Sequence, residues 1–138
     1  MFSLPIDFLL LRGLTSSLVS PSRTLNIQVA NLSEVNLAIE TSRKLAKDKI
    51  YSKVISVPCM ELFDKQNKSY KNKILNETKN KISIEAGSSD CWKKYVGENG
   101  KNFGINEFGK SAPFKEIYKY FGLTKENITN KSKKLINN

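Results

Sequence analysis

Few residues of this sequence could do chemistry, and the first candidates are two carboxylates. Glu85 and Asp90 lie five positions apart and could form a pair of carboxyl groups for general acid and base catalysis. Such work requires burial and a shifted pKa, and a sequence shows neither. We therefore predict no catalytic, cofactor-binding or metal-binding residue in this chain.

Histidine is absent from the sequence, and there are two cysteines, Cys59 and Cys91. Without histidine the chain lacks the commonest general base, the Ser-His and Cys-His nucleophile pairs, and most catalytic zinc sites. Neither cysteine has a C-x-x-C partner, so a metal or redox motif has no support. We predict that both are free, buried thiols in a reducing compartment.

Two predicted loops could hold an anion, because free N–H groups at a helix start attract negative charge. In open α/β sheets, ligands bind beyond the carboxyl ends of strands where the connection direction reverses. The candidate anion-binding or interface residues are Ser33, Glu34, Gly87, Ser88, Ser89 and Asp90. The alternative, which we favour, is that these loops only cap helices or contact a partner subunit.

The chain is basic, with 23 Lys and Arg against 13 Asp and Glu, and residues 61–138 carry most of the excess. A basic surface raises the local concentration of phosphates. However, the lysines are scattered through predicted helices, and all three arginines precede residue 61. Nucleic acid is therefore not the expected partner. Gly97–Lys101 lacks the Gly-Lys-Ser/Thr ending of a phosphate loop and is predicted to be a turn.

Short apolar runs alternate with helical patterns from Thr24 onward, which indicates an α/β fold with a mostly parallel sheet and right-handed crossovers. The predicted strands are 25–29, 53–57, 82–85 and 102–106. The helical patterns follow Ser33, cover 60–65 and 68–75, run through Trp92, and lead into a terminal helix that Thr124 caps.

The clearest local signals lie between Ser111 and Gly122. Ser111 precedes Pro113 at a predicted helix start, and Gly122 ends the helix where a left-handed residue is needed. The apolar residues recur at i, i+3, i+4 and i+7. They are Phe114, Ile117, Tyr118 and Phe121. We expect this stripe to be buried.

Residues 1–23 differ from the rest, because an apolar start is followed by a Ser/Thr/Pro-rich stretch. Pro5 and Asp7 interrupt the apolar part and no Lys or Arg precedes it, so a signal peptide is not predicted. No apolar run approaches the roughly 20 residues of a membrane helix. We treat residues 1–23 as an atypical leader, poorly ordered or peripheral, and residues 24–138 as one domain. A cytoplasmic location is expected.

Four segments carry a resemblance to a known family. They read SEVxLA at 33–38, VPCMELFDKQ at 57–66, IEAGxxDxWxKYVG at 84–97 and FGxSAP at 108–113. In this order and spacing they resemble the C-terminal domain of transketolases, the thiamine-diphosphate enzymes that move two-carbon ketol units between sugar phosphates. The resemblance covers about residues 25–135.

This resemblance implies a fold and a role. The implied fold is a three-layer α/β/α unit with a mostly parallel, mixed sheet of four to five strands. In the family, two other domains bind the cofactor diphosphate with its divalent metal and contact the thiamine pyrimidine. Thiamine diphosphate and Mg2+ are therefore expected for the full-length enzyme and not for this chain.

The implied role of this chain is domain packing and dimer assembly, with a second copy or the other transketolase domains as partners. Whether the chain counts as an enzyme stays open. The alternatives are an anion- or nucleic-acid-binding module on the same fold, and a truncated, nonfunctional remnant.

Two features depart from the family pattern. Asn31-Leu32 stands where the family has a turn of small residues with Gly, and Leu takes a positive φ only at a cost, so we expect a rearranged turn. Residues 1–23 do not resemble the linker that supplies an edge strand, so we expect that strand to be missing or replaced. These departures suggest a truncated product or a gene fragment with an altered start.

Overall fold

The computed structural model describes residues 11–12, 23–30, 32–75, 78–107 and 111–138. Five strands form one sheet in the order β1-β3-β2-β4-β5. The strands are β1 Leu11–Arg12, β2 Thr24–Val29, β3 Tyr51–Ser56, β4 Lys81–Ile84 and β5 Lys101–Phe103. The helices are α1 Leu32–Lys47, α2 Met60–Asp64, α3 Lys68–Leu75, α4 Lys93–Val96 after a 3₁₀ turn at Asp90–Trp92, α5 Phe114–Tyr120 and α6 Lys125–Asn137.

Strands β2 to β5 are parallel, and β1 runs antiparallel to β3. The sheet is therefore mixed and mostly parallel, as predicted. The sequence predicts that the edge strand of the family is missing or replaced. The structure has an edge strand, β1, which is formed by Leu11–Arg12 within the predicted leader. Apart from residues 11, 12 and 23, the leader lies outside the described residues, and so does Asn31 of the predicted turn.

One face of the sheet carries the larger apolar core. Ile27 in the central strand pairs with Val54 on one side and Ile82 on the other, and all three side chains are buried. Helices α1 and α6 cover this face through residues such as Leu45 and Ile128. Each such side chain contributes about 1.5–3 kcal/mol on burial.

The opposite face is partly polar, although it is also covered. Asn26 and Gln28 in β2 and Ser83 in β4 are at most 1% exposed. The Asn26 amide donates to the Leu75 carbonyl at 2.8 Å, and the Ser83 hydroxyl donates to the Asn102 side chain at 2.6 Å. A second apolar cluster covers this face from α2, α3 and α4. Helices therefore lie on both faces, which confirms the three-layer α/β/α prediction.

Helix α5 does not bury the stripe predicted for it, and that expectation is wrong. None of its residues is buried, and Phe114 is 59% exposed. The helix has only seven residues, and Tyr118 is its partly buried contact with the larger core. An apolar pattern marks the side of a helix that would be buried, but it does not supply an element to cover that side.

The end signals around α5 and α6 are confirmed. Gly122 follows α5 with φ of +72°, the left-handed conformation that favours glycine. Thr124 caps α6, because its hydroxyl accepts a hydrogen bond from the Asn127 amide at 3.3 Å. In the described ranges, no helix combines the length and hydropathy of a membrane span.

The two thiols are free, as predicted, but they are not buried. Cys59 precedes α2 and is partly exposed, and Cys91 lies in the 3₁₀ turn and faces solvent. Both lie where the chain enters a helix, and neither belongs to the two clusters of buried apolar residues.

Candidate functional site

The carboxyl ends of β2 and β4 lie side by side, because Val29 pairs with Ile84. The chain leaves β2 for α1 on one face and leaves β4 for the 3₁₀ turn on the other. Here the connection direction reverses, which is where open α/β sheets bind ligands. The structure thus brings the two predicted segments together, Ser33 and Glu34 at the start of α1 and residues 85–90 after β4. We call these residues the carboxyl edge.

Glu34 is the most buried charged residue at the carboxyl edge, with none of its surface exposed. Its Oε1 accepts hydrogen bonds from the Ser33 hydroxyl at 2.7 Å and from the Tyr118 hydroxyl at 2.6 Å. Its Oε2 is buried without a partner in the described part of the chain. Burial, followed by the hydrogen bond to Glu34, raises the pKa of Tyr118 to about 12. Tyr118 is thus a stable donor at neutral pH, and the contact fixes α5 to α1.

The loop after β4 is held by the segment that follows β5. The Gly87 carbonyl accepts a hydrogen bond from the Ile105 amide at 2.8 Å, and the Ser89 amide donates to the Asn106 side chain at 2.9 Å. Gly104 permits this close approach, because a Cβ there would lie 2.7 Å from the Ser89 Cβ. This loop therefore serves to join neighbouring strands.

Asp90 and Ser88 lie on the exposed side of that loop. Asp90 forms an ion pair with Lys93 at 2.7 Å, and the hydrogen bond from Lys93 lowers the pKa of its carboxyl. The Ser88 hydroxyl lies 3.3 Å from Asp90 Oδ2. Glu85, in contrast, accepts a hydrogen bond from the Trp92 indole at 3.3 Å. The two carboxylates have separate partners, which does not favour a paired acid–base site.

The electrostatics of the carboxyl edge oppose a bound anion. The start of α1 favours negative charge, and the Glu34 carboxylate already lies in its first turn. The Glu85 carboxylate adds a second negative group at the end of β4. Anion binding and contact with a partner both remain predictions for these residues, and the hydrogen bonds described here are made within the chain.

A second cleft, with a volume of about 390 Å3, lies at the opposite end of β4. We call it the basic cleft. Its charged and hydroxyl-bearing residues come from four elements: Asp64, Lys71, Lys81, Lys94 and Tyr95. Sequence reasoning missed this cleft, because its members are spread over 32 positions. The only signal was that Asp64, Lys94 and Tyr95 belong to two of the four family-like segments.

Asp64 organises the basic cleft. Its carboxylate accepts hydrogen bonds from Lys94 at 2.5 Å and from the Tyr95 hydroxyl, and its backbone carbonyl accepts one from Lys71 at 2.9 Å. The bonds from Lys94 and Tyr95 hold the pKa of the Asp64 carboxyl below its usual value. The described residues contain no group of three or more His, Cys, Asp or Glu that could hold a metal ion.

Comparison with known proteins gives the family. The sequence profile of the transketolase-like TK C-terminal domain matches residues 20–124. The chain belongs to the transketolase C-terminal domain family. This confirms the resemblance deduced from the four segments.

Full-length transketolases are among the relatives. The chain is 44% identical to Transketolase 2 of Aliivibrio fischeri over 111 residues, which are 80% of this chain and 17% of that protein. It is 44% identical to the transketolase of Bacillus subtilis over 110 residues, which are 79% of this chain and 16% of that protein. The chain therefore spans about one sixth of the length of these relatives and corresponds to their C-terminal domain.

Solved transketolase structures share the fold. The transketolase of Leishmania mexicana matches with a TM-score of 0.72 and 32% identity, over 83% of this chain and 16% of that one. The transketolase of Pichia stipitis in complex with sedoheptulose 7-phosphate matches with a TM-score of 0.75 and 29% identity, over 92% of this chain and 17% of that one. A split-gene transketolase, described as an inactive beta4 tetramer, matches with a TM-score of 0.65 at 15% identity, which shows the fold alone.

Proposed function

We propose that this chain acts as the C-terminal domain of a transketolase-like enzyme, and that it contributes assembly and no reacting group. The observation that carries the proposal is the family match over residues 20–124. The alignment with Transketolase 2 of Aliivibrio fischeri covers about one sixth of that relative, 17% of its length. The parent enzyme would use thiamine diphosphate and Mg2+ to transfer ketol units between sugar phosphates. These groups would be held by the domains that the remaining five sixths of the relatives provide.

The residues of the carboxyl edge do not fit a thiamine diphosphate site. A diphosphate needs amide donors or cations, whereas the buried carboxylate of Glu34 occupies the first turn of α1. Its partners Ser33 and Tyr118 come from the chain itself, so the group serves packing. We therefore derive no step of ketol transfer from these residues.

An assembly role is supported by the exposed aromatic side chains of α5. Phe114 and Tyr120 are 59% and 60% exposed, and they are the most exposed large apolar side chains of the described residues. Aromatic residues are enriched in the cores of protein interfaces, where their burial stabilises the complex. We infer that α5 contacts a second copy of the chain or the other transketolase domains.

A chimaera tests the proposal directly. Residues 20–138 of this chain replace the corresponding domain of Bacillus subtilis transketolase, and ketol transfer from xylulose 5-phosphate is measured with thiamine diphosphate and Mg2+. We expect an assembled, active chimaera, whereas the host without this domain assembles poorly. The isolated chain should show no ketol transfer under the same conditions.

Two variants of the chimaera locate the contact. Phe114→Ser should weaken assembly, measured by sedimentation, whereas Leu62→Ser should not, because Leu62 is a comparably exposed apolar residue on α2. Turnover by the isolated chain would contradict the non-catalytic role. A folded but unassembled chimaera would contradict the assembly role.

A further inference from the structure

A groove of about 420 Å3 lies between α1 and α6, and the described residues that line it are all charged. Those from α1 are Glu40, Arg43, Lys44 and Lys47, and those from α6 are Lys125 and Glu126. We call this surface the α1–α6 groove. The residues from α1 follow the spacing i, i+3, i+4 and i+7, so they form one face of that helix.

Both carboxylates of the α1–α6 groove are already paired across the two helices. Glu126 lies 3.7 Å from the ammonium group of Lys44. Glu40 lies 3.5 Å from the ammonium group of Lys125. These two lysines are therefore compensated, and the carboxylates that compensate them are in use.

The other two cations of the groove have no such compensation. Arg43 and Lys47 are exposed, and neither makes an ion pair or a hydrogen bond among the described residues. Asp48, the acidic residue next to Lys47 in the chain, pairs instead with Lys133 at 2.6 Å. The groove thus presents two positive charges that no described carboxylate neutralises.

The spacing of these two cations favours a ligand with negative charge. Arg43 and Lys47 lie four residues apart on α1, where like charges repel each other and destabilise a helix slightly. Basic residues in the last turn compensate the helix dipole, which accounts for Lys47, but Arg43 precedes that turn. Carboxylates beside the two groups would replace this repulsion by attraction.

The form of the groove favours a protein segment over a small molecule. Small-molecule pockets are mostly apolar and bury most of the ligand, whereas the described lining here is charged and belongs to exposed or partly exposed residues. Four helical residues span about 6 Å along the axis of α1. Alternate side chains of an extended segment leave its same side about 7 Å apart, which matches that spacing.

We propose that the α1–α6 groove binds an acidic segment of a partner protein, with Arg43 and Lys47 contacting carboxylates at alternate positions of that segment. Arginine can hold a carboxylate through two parallel N–H···O bonds, and lysine acts as a single point charge. This inference goes beyond the assembly role of α5 and does not rest on it.

A second copy of this chain does not match the proposed partner. The chain carries a formal net charge of +10, so two copies repel each other. In addition, no two acidic residues of the sequence lie two positions apart, so the chain itself lacks the alternating pattern. The expected partner is therefore a different, acidic protein.

Fluorescence anisotropy of a labelled peptide tests the proposal on the full chain. The probe is an octapeptide in which Glu and Ser alternate, and a peptide with Gln in place of Glu is the neutral control. We expect the acidic peptide to bind saturably with a Kd of roughly 10 μM to 1 mM at low salt, and more weakly as salt is added. No saturable binding, or equal binding of the neutral peptide, would overturn the proposal.

A pair of double variants locates the contact. Arg43→Gln with Lys47→Gln should weaken the acidic peptide about fivefold or more. The matched control, Lys115→Gln with Lys119→Gln, removes the same charge at the same spacing from exposed positions on α5. It should change the affinity less than about twofold. Equal weakening in both would overturn the proposal, since binding would then follow overall charge.

Folding of the variants is checked by their far-ultraviolet spectra. Both substituted residues of α1 are exposed, and Gln is a good helix former, so we expect the helix to persist. If the double variant does not fold, Arg43→Gln alone replaces it and should weaken the acidic peptide about twofold or more. An unchanged affinity in that single variant would contradict the proposed contact.

Nucleic acid is the competing anion, and a single-stranded oligonucleotide of eight nucleotides is titrated in parallel over a salt series. We expect it to bind more weakly than the acidic peptide, or to bind equally well to both double variants. Tighter oligonucleotide binding that only the Arg43 and Lys47 variant loses would assign the groove to nucleic acid and would overturn the proposal.

Discussion

The contact between Tyr118 and Glu34 joins residues 84 positions apart, and its removal makes the sharpest prediction. Tyr118→Phe keeps the ring and deletes only the hydroxyl. Glu34 is fully buried, and its Oε2 already lacks a partner among the described residues, so the variant leaves its carboxylate with the Ser33 bond. A hydrogen bond to a charged group contributes about 1.5–3 kcal/mol, and we expect a loss of that size in the free energy of unfolding.

Urea unfolding followed by tryptophan fluorescence measures this loss. Trp92 is the single tryptophan and is fully buried, so its emission reports global unfolding. Tyr51→Phe on β3 is the matched control, because it removes the same group from a partly exposed side chain, and we expect a change below about 0.5 kcal/mol. If Tyr118→Phe were as stable as the control, Glu34 would not hold α5, and the account of the carboxyl edge would fail.

The same contact has a pH signature. Because folding raises the pKa of Tyr118 from 10.0 to about 12, the folded state binds this proton more tightly than the unfolded state. Its contribution to stability is complete below pH 10 and is lost as the pH rises toward 12. Stability should therefore fall less steeply over this window in Tyr118→Phe than in the unaltered protein. Parallel curves for the two proteins would contradict the assignment.

Further changes are predicted. Gly122→Ala should destabilise the chain by about 1–2 kcal/mol in urea, because φ is +72° and a Cβ would lie 2.6 Å from the Asn127 side chain. Gly97→Ala should cost about 1–3 kcal/mol without any steric clash, because φ of +78° with ψ of 175° is a backbone conformation that only glycine adopts readily. Thr124→Ala should cost about 1 kcal/mol by removing the cap of α6, measured in the same way, and an unchanged midpoint would refute that role. Asp64→Asn should make the free energy of unfolding less dependent on pH below about pH 4. The hydrogen bond from Lys94 is the main cause that lowers the pKa of the Asp64 carboxyl. The contribution of this carboxyl to stability is therefore present above its unfolded pKa and is lost as the pH falls.

Much of the fold could be predicted because its signals are local. Strand β2 follows from an apolar run, and α1 follows from 3.6-residue spacing of apolar residues. Helix α3 begins and ends where the sequence pattern indicates. The end of α5 at Gly122 and the cap at Thr124 depend on residues within one helical turn. Such features need no knowledge of distant parts of the chain.

The remaining features depend on which elements meet. The apolar stripe of α5 indicated burial, but only Tyr118 reaches the larger core and Phe114 remains exposed. A two-residue strand such as β1 has no periodicity to read. The sequence predicts Ser33 and Glu34 as loop residues, and both lie in the first turn of α1. The hydrogen bond from Tyr118 to Glu34 arises from the topology and could not be predicted from spacing.

The basic cleft could not be predicted for the same reason. Asp64 and Lys94 lie 30 positions apart and meet only after α2 and α4 pack on the same face of the sheet. In the sequence, Lys71 and Lys81 look like the other scattered lysines. Charge distributed over several elements becomes a local feature only in the folded chain.

The shape of the sheet bears on how the protein behaves at high concentration. The outermost strand on one side is β5, which has three residues. The β5 rim therefore offers few unpaired backbone groups to which a neighbouring molecule could add a strand. Growth of fibrils by strand addition at β5 is disfavoured, so contacts between copies on that side of the sheet should depend on side chains.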